Sequence, residues 1–172
     1  ASSGCGQHAA SIAVKACATA MERGIFEADT LDGQKLTMLP AFKEKRIRQS
    51  EEKINFLKII YRPMELLPDP PKQKPLFLSY NTRISSFGAA IRFRIEERGE
   101  AVVLASGPEQ IMLVLKASMD ASFKMAQIKD PENVRQSKDT TVLLSPSWET
   151  SQDGRVMIRF RLFTETSFER PM

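Results

Sequence analysis

"AAIRFRIEER", residues 89–98, is the stretch whose reading decides how the rest of the chain is assembled. Its central pentapeptide, IRFRI at 91–95, returns as IRFRL at 158–162. In both copies apolar residues alternate with arginine, and a strand sends successive side chains to opposite faces. Read so, Ile91, Phe93 and Ile95 share a buried face and Arg92 and Arg94 the opposite one. In the second copy Ile158, Phe160 and Leu162 oppose Arg159 and Arg161, with Arg155 and Met157 extending the arginine side. Each strand then has an apolar face to bury and a cationic face to present.

Working outward, "LFLSYNTR" (76–83) reads as a strand before this one. Gly99-Glu100 turns the chain into a further strand, "AVVLAS" (101–106). With "INFLKIIYR" (54–62) as another, the succession predicts an antiparallel meander. The period then changes. Ser106 and Glu109 have capping-box spacing and Pro108 suits a first turn, so a helix opens there. Ile111, Leu115, Ser118 and Ser122 fall on one stripe flanked by Met112 and Met119, which lays the helix on a sheet. Asp130-Pro131 ends it. "TTVLLS" (140–145), the turn "SQDG" and a long strand, "RVMIRFRLFTETSF" (155–168), follow. The fold class expected is α+β: a β-meander, a helix and a β-hairpin, with one or two helices packed on antiparallel sheets.

Residues 1–40 read as an N-terminal extension or docking segment, and 41–172 as a single β-rich domain. The stretch "ASSGCGQHAASIAVKACATA" has no acidic residue, which fits an organellar targeting segment. A docking helix over Ser11–Arg23, closed by Gly24, is the alternative. Asp32-Gly33 is a hairpin-type turn signal. Residues 63–75 hold five prolines and read as a linker or long loop.

The chemistry-bearing residues argue against an enzyme. His8 is the single histidine, Cys5 and Cys17 are the two cysteines, and neither phosphate-loop nor dinucleotide glycine motifs occur. Glu51-Glu52 and Glu96-Glu97 are adjacent carboxylates with nothing to separate their roles. Neither a metal nor a cofactor is expected, nor a small-molecule substrate. No apolar run is long enough to span a membrane.

The arginine faces remain. Arg92, Arg94, Arg155, Arg159 and Arg161 put five guanidinium groups on two strands, where they repel unless an anion lies over them. Arginine's planar fork suits phosphate. Ion pairing with Glu96, Glu97, Glu165 and Glu169 is the competing explanation. Phe163 and Tyr61 are candidates to stack on bases, or core residues. Residues 41–62 carry seven basic against three acidic side chains, an excess equal to the whole chain's net +4. Within them Lys43, Lys45, Arg46 and Arg48 are a second candidate contact.

The run "EAVVLASGPEQIMLVLKASM", a linker, and then "TTVLLSPSWETSQDGRVMIRFRLF" resembles the Whirly family of single-stranded nucleic-acid-binding proteins. The plant single-stranded-DNA-binding members have this layout, and so do the mitochondrial guide-RNA-binding proteins of trypanosomes and related mitoribosomal subunits. The resemblance implies two antiparallel sheets packed crosswise, assembly into homo- or hetero-oligomers, and RNA phosphates held across an electropositive sheet. It also implies a mitochondrial ribonucleoprotein as the setting. The expected function is non-enzymatic RNA binding through the phosphate backbone, with a structural scaffold subunit of a mitoribosome-like assembly as the alternative.

Overall fold

The computed structural model describes residues 2–23, 35–46, 53–64, 73–79 and 81–168. In chain order they form α1 (Ser2–Arg23), β1 (Lys35–Arg46), β2 (Lys53–Met64), β3 (Leu76–Phe77) and α2 (Ile84–Arg98). There follow β4 (Glu100–Ala105), α3 (Gly107–Lys129), β5 (Leu143–Thr150), β6 (Val156–Phe163) and a 3-10 turn, Glu165–Phe168. The strands make one sheet in the order β2-β1-β5-β6-β4-β3. β3 and β4 run parallel, and every other neighbouring pair is antiparallel. Among the described residues the fold is α+β, with three helices and a mixed six-stranded sheet, where two crosswise antiparallel sheets were implied.

The decisive stretch is a helix. Ile91 and Ile95 lie four residues apart, a spacing that places both on one side of a strand and of a helix alike. Phe93 tells the two apart, and it is 62% exposed, with Phe87, Ile91 and Ile95 forming the buried stripe instead. The neighbours Ala89, Ala90, Glu96, Glu97 and the arginines are all good helix formers. Gly99 sits at φ 86 and its N–H bonds the Ile95 carbonyl at 2.8 Å, so it closes the helix from the left-handed region and is no hairpin turn. A helix here changes the topology. β3, α2 and β4 become a crossover unit joining parallel strands, and the meander is lost.

Other boundaries move less. β3 has two residues where eight were expected, because Ser79 and Thr82 close a turn through Ser79 N–H to Thr82 Oγ1 at 2.7 Å and Thr82 N–H to the Ser79 carbonyl at 3.1 Å. β6 stops at Phe163, where Thr164 N–H bonds Ser167 Oγ at 2.9 Å and opens the 3-10 turn. The turn between β5 and β6 is as expected, with Gly154 at φ 85. α3 also follows its reading: Ile111, Leu115, Ser118 and Ser122 are all buried. The side chain that reaches back over its first turn is Gln110 and not Glu109; Gln110 Oε1 accepts from Ser106 N–H at 2.7 Å. The Asp32-Gly33 turn falls outside the described residues.

The three helices cover one face of the sheet. Val14 of α1, Ile91 of α2 and Ile111 and Leu115 of α3 meet Met38, Val103, Leu144, Ile158, Phe160 and Leu162 in one core. The strand residues in that group are register partners or two-residue neighbours, hence on one face. α1 belongs to this layer. Trp148 Nε1 donates to Thr19 Oγ1 at 3.0 Å and the Tyr61 hydroxyl to the Ala13 carbonyl at 3.3 Å. β1 runs through residue 40. α2 and α3 approach closely at Gly88, where a Cβ would stand 2.5 Å from Asp120 Oδ2 and 3.1 Å from the Ala117 carbonyl oxygen. On the sheet's other face Glu100, Val102, Leu143, Ser145, Arg161 and Phe163 are buried as well.

One part leaves this body. β1 and β2 pair over twelve residues, from Lys35↔Met64 to Arg46↔Lys53, yet β1 meets β5 in register only at Met38↔Leu144. Residues 41–46 and 53–58 therefore continue past the sheet as a two-stranded ribbon.

Candidate nucleic-acid interface

The five arginines do not make one cationic face. Arg92 and Arg94 flank the buried stripe of α2 on the helical side. Arg92 Nη1 lies 3.4 Å from Glu96 Oε1, one helical turn on, and its guanidinium stands 5.1 Å from the Phe93 ring centre. Arg94 Nη1 donates to the Lys74 carbonyl at 3.2 Å. On β6, Arg159 and Arg161 point away from the helices, since Ile158, Phe160 and Leu162 point toward them. Arg161 is 4% exposed and its Nε bonds Glu100 Oε2 at 2.9 Å. Arg159 Nε stands 4.0 Å from Glu149 Oε2. Arg155 lies in the β5–β6 turn, with 77% of its side chain exposed and Nε 3.7 Å from Asp153 Oδ2. The Asp153 carboxyl is held below the ordinary range, first by the Ser151 hydroxyl and then by the Arg155 backbone N–H.

Ion pairing, the competing explanation, thus accounts for much of this arginine set, with Glu96 among the expected partners and Glu100 and Glu149 as further ones. Glu96 serves through helical spacing, and Glu100 and Glu149 serve from strands next to β6. Glu165 takes Arg62 and, at 3.9 Å, Lys138. Phe163 is fully buried and cannot stack on a base. Tyr61 faces α1, where burial raises its hydroxyl pKa.

The second candidate contact falls on the ribbon. Lys43, Lys45 and Arg46 lie on β1, in register with Phe56, Ile54 and Lys53. Their side chains and all of Arg48 are outside what the structure describes. The ribbon strands 41–46 and 53–58 carry Lys43, Lys45, Arg46, Lys53 and Lys58 against the single acid Glu44. On β2, Leu57 and Ile59 pack toward the helices, so Lys58, Ile60 and Arg62 face the other way, and all three are exposed. On the outer face of β2 a short row thus runs from Lys58 past Ile60 to Arg62.

At the root of that row lies a cleft of about 310 Å³, lined by Leu39, Leu143, Arg62, Lys138 and Glu165 together with residues of the 136–141 loop. Sequence reasoning missed it. Arg62, Lys138 and Glu165 sit in three separate segments, and only the sheet order joins them. Among the described residues no three His, Cys, Asp or Glu side chains gather as a metal site, and no helix is long and apolar enough to cross a membrane. No protein family, curated protein or solved structure matches the chain.

Proposed function

We propose that this chain is a non-enzymatic RNA-binding protein of a mitochondrial ribonucleoprotein, and that it grips single-stranded RNA phosphates with the β1–β2 ribbon. One observation carries the reading: a twelve-residue strand pair that outruns its sheet and bears five basic residues against one acidic in its projecting half. Clustered cations on such an arm attract a polyanion and release its counterions. The Whirly resemblance supplies the ligand class, single-stranded RNA, and the ribbon replaces the arginine faces as its place of contact.

The test is a salt titration of oligouridylate affinity. For wild type, log K falls linearly with log salt, by roughly 0.7 per phosphate contacted. Neutralising Lys43, Lys45, Lys53 and Lys58 to Gln makes the slope shallower and weakens unrelated RNA sequences by similar factors. Neutralising Arg92 and Arg94 leaves both nearly unchanged. RNA affinity that survives loss of the ribbon charges sinks the proposal.

A scaffold role within a larger assembly is the second reading. It is favoured by Phe93 on α2 and Phe123 and Ile128 on α3, each more than half exposed on the helical layer. Under that reading the ribbon variant keeps its place in the assembly, while Phe93→Ser and Phe123→Ser variants lose it.

A further inference from the structure

The cleft at the ribbon's root holds an arrangement that the ribbon does not need. Glu165 is mostly buried, 14% of its side chain being exposed, between two much more exposed cations: Arg62 at 56% and Lys138 at 77%. Arg62 Nη1 bonds Glu165 Oε1, and Lys138 Nζ lies 3.9 Å from Oε2. One carboxylate therefore sits where two cations converge, and the local charge is left at +1. Beside it, buried Leu143 and half-buried Leu39 give an apolar floor.

The loop that carries Lys138 is held in place. Ser137 N–H bonds Thr140 Oγ1 at 2.9 Å, and Asp139 Oδ2 takes Lys129 at 2.7 Å. The wall is thus pre-formed, as small-ligand sites usually are, and about 310 Å³ lies at the small end of their range.

We infer that this cleft is a subsite for one nucleotide of a bound RNA, in which a phosphate displaces the Glu165 carboxylate from Arg62 and Lys138 and the base lies over Leu39 and Leu143. The inference rests on the RNA-binding reading and adds to it a single, sized position. A phosphate oxygen pair reproduces the carboxylate's geometry toward arginine. It also matches the residual positive charge that the lone carboxylate leaves. Glu165 is then a stand-in anion, which keeps the two cations together when no RNA is present and competes with phosphate when it is.

Because a stand-in anion competes with its replacement, removing its charge strengthens binding. The experiment titrates uridine 5′-monophosphate, with inorganic phosphate in parallel, into the full chain and follows amide shifts. The nucleotide shifts Thr141 and Leu143, and inorganic phosphate binds more weakly. Arg62→Gln and Lys138→Gln each lower nucleotide affinity, Arg62→Gln by about tenfold, the loss expected for a charge-assisted hydrogen bond. Glu165→Gln raises it. Lys138 is largely exposed, so its variant reads binding apart from folding. The inference is overturned if the nucleotide leaves Thr141 and Leu143 unmoved, if phosphate alone binds as tightly, or if Glu165→Gln weakens binding at unchanged melting temperature. The two readings fail separately. Oligouridylate that depends on the ribbon while the monophosphate ignores the cleft removes the subsite and leaves the function. Oligouridylate indifferent to the ribbon removes the function.

Discussion

Phe93 is the residue on which sequence reasoning turned. Isoleucines at 91 and 95 satisfy a period of two and a period of 3.6 together, so only the residue midway carries information, and an aromatic there reads as buried. In the fold it lies on the outer side of α2, partly covered by Arg92. Ile91→Ala is expected to cost about 2–5 kcal/mol in urea unfolding as a large-to-small core change. Phe93→Gln is expected to cost about 1 kcal/mol or less, the scale of an exposed cation–π contact. Equal costs would restore the strand. Arginine on β6 misled for another reason. Alternation places Arg161 on the face opposite Phe160, but whether that face is wet depends on the neighbouring strand, and β4 brings Glu100 to it. Cys17 gives a residue-scale check of the α1 interface, since burial pushes its thiol up to about 11. Its folded pKa lies above the 9.0 of an exposed thiol, so the stability linked to this proton is intact below pH 9 and is lost as pH rises from 9 to about 11. Iodoacetamide should therefore label Cys17 far more slowly in the native protein at pH 8 than in denaturant, read by peptide mass. Fast native labelling would mean that α1 is not seated.

At the scale of elements, legibility followed locality. β4, α3 and the β5–β6 turn were readable because their signals lie within a few residues: an apolar run, a capped amphipathic stripe and a turn glycine. β3 and α2 were not, since the crossover depends on a two-residue strand that exists only by pairing with β4. The ribbon was half legible. Residues 54–62 read as a strand, but the polar stretch 41–46 is held extended by six register pairs with 53–58 that no local pattern announces. The α2–α3 contact yields the element-scale prediction. Gly88→Ala pushes a methyl group into Asp120 and the Ala117 carbonyl, and overpacking of this kind costs about 1–3 kcal/mol. Asp120→Ala in the same chain should recover part of that loss in thermal unfolding, because one of the two obstructing atoms is gone. A neutral Gly88→Ala would mean that the helices stand farther apart.

For the whole molecule, one core joins all three helices to the sheet, and the single tryptophan sits where α1 meets β5. Trp148 fluorescence reports on α1, while far-UV circular dichroism reports on all helices. Their thermal transitions should coincide, as for a two-state domain. An earlier fluorescence transition would show α1 leaving as a separate unit. The candidate site was the least legible part at this scale. Its cations were visible in the composition of 41–62, but the cleft arises from strand order, which places Arg62 and Leu143 near one another across β1.

That strand order also sets a timetable. β1 reaches the sheet only through β5, and β4 reaches β5 only through β6, so the two strands in the middle of the sheet are the last two made. A nascent chain ending near residue 140 has its first hairpin, its crossover and its long helix, and lacks the two strands that join them into one sheet. Contacts so distant in sequence slow folding, and exposed strand edges in the interval invite wrong pairing. For as long as the ribosome takes to add the β5–β6 hairpin, the cationic ribbon is a part of this protein already able to form from local pairing.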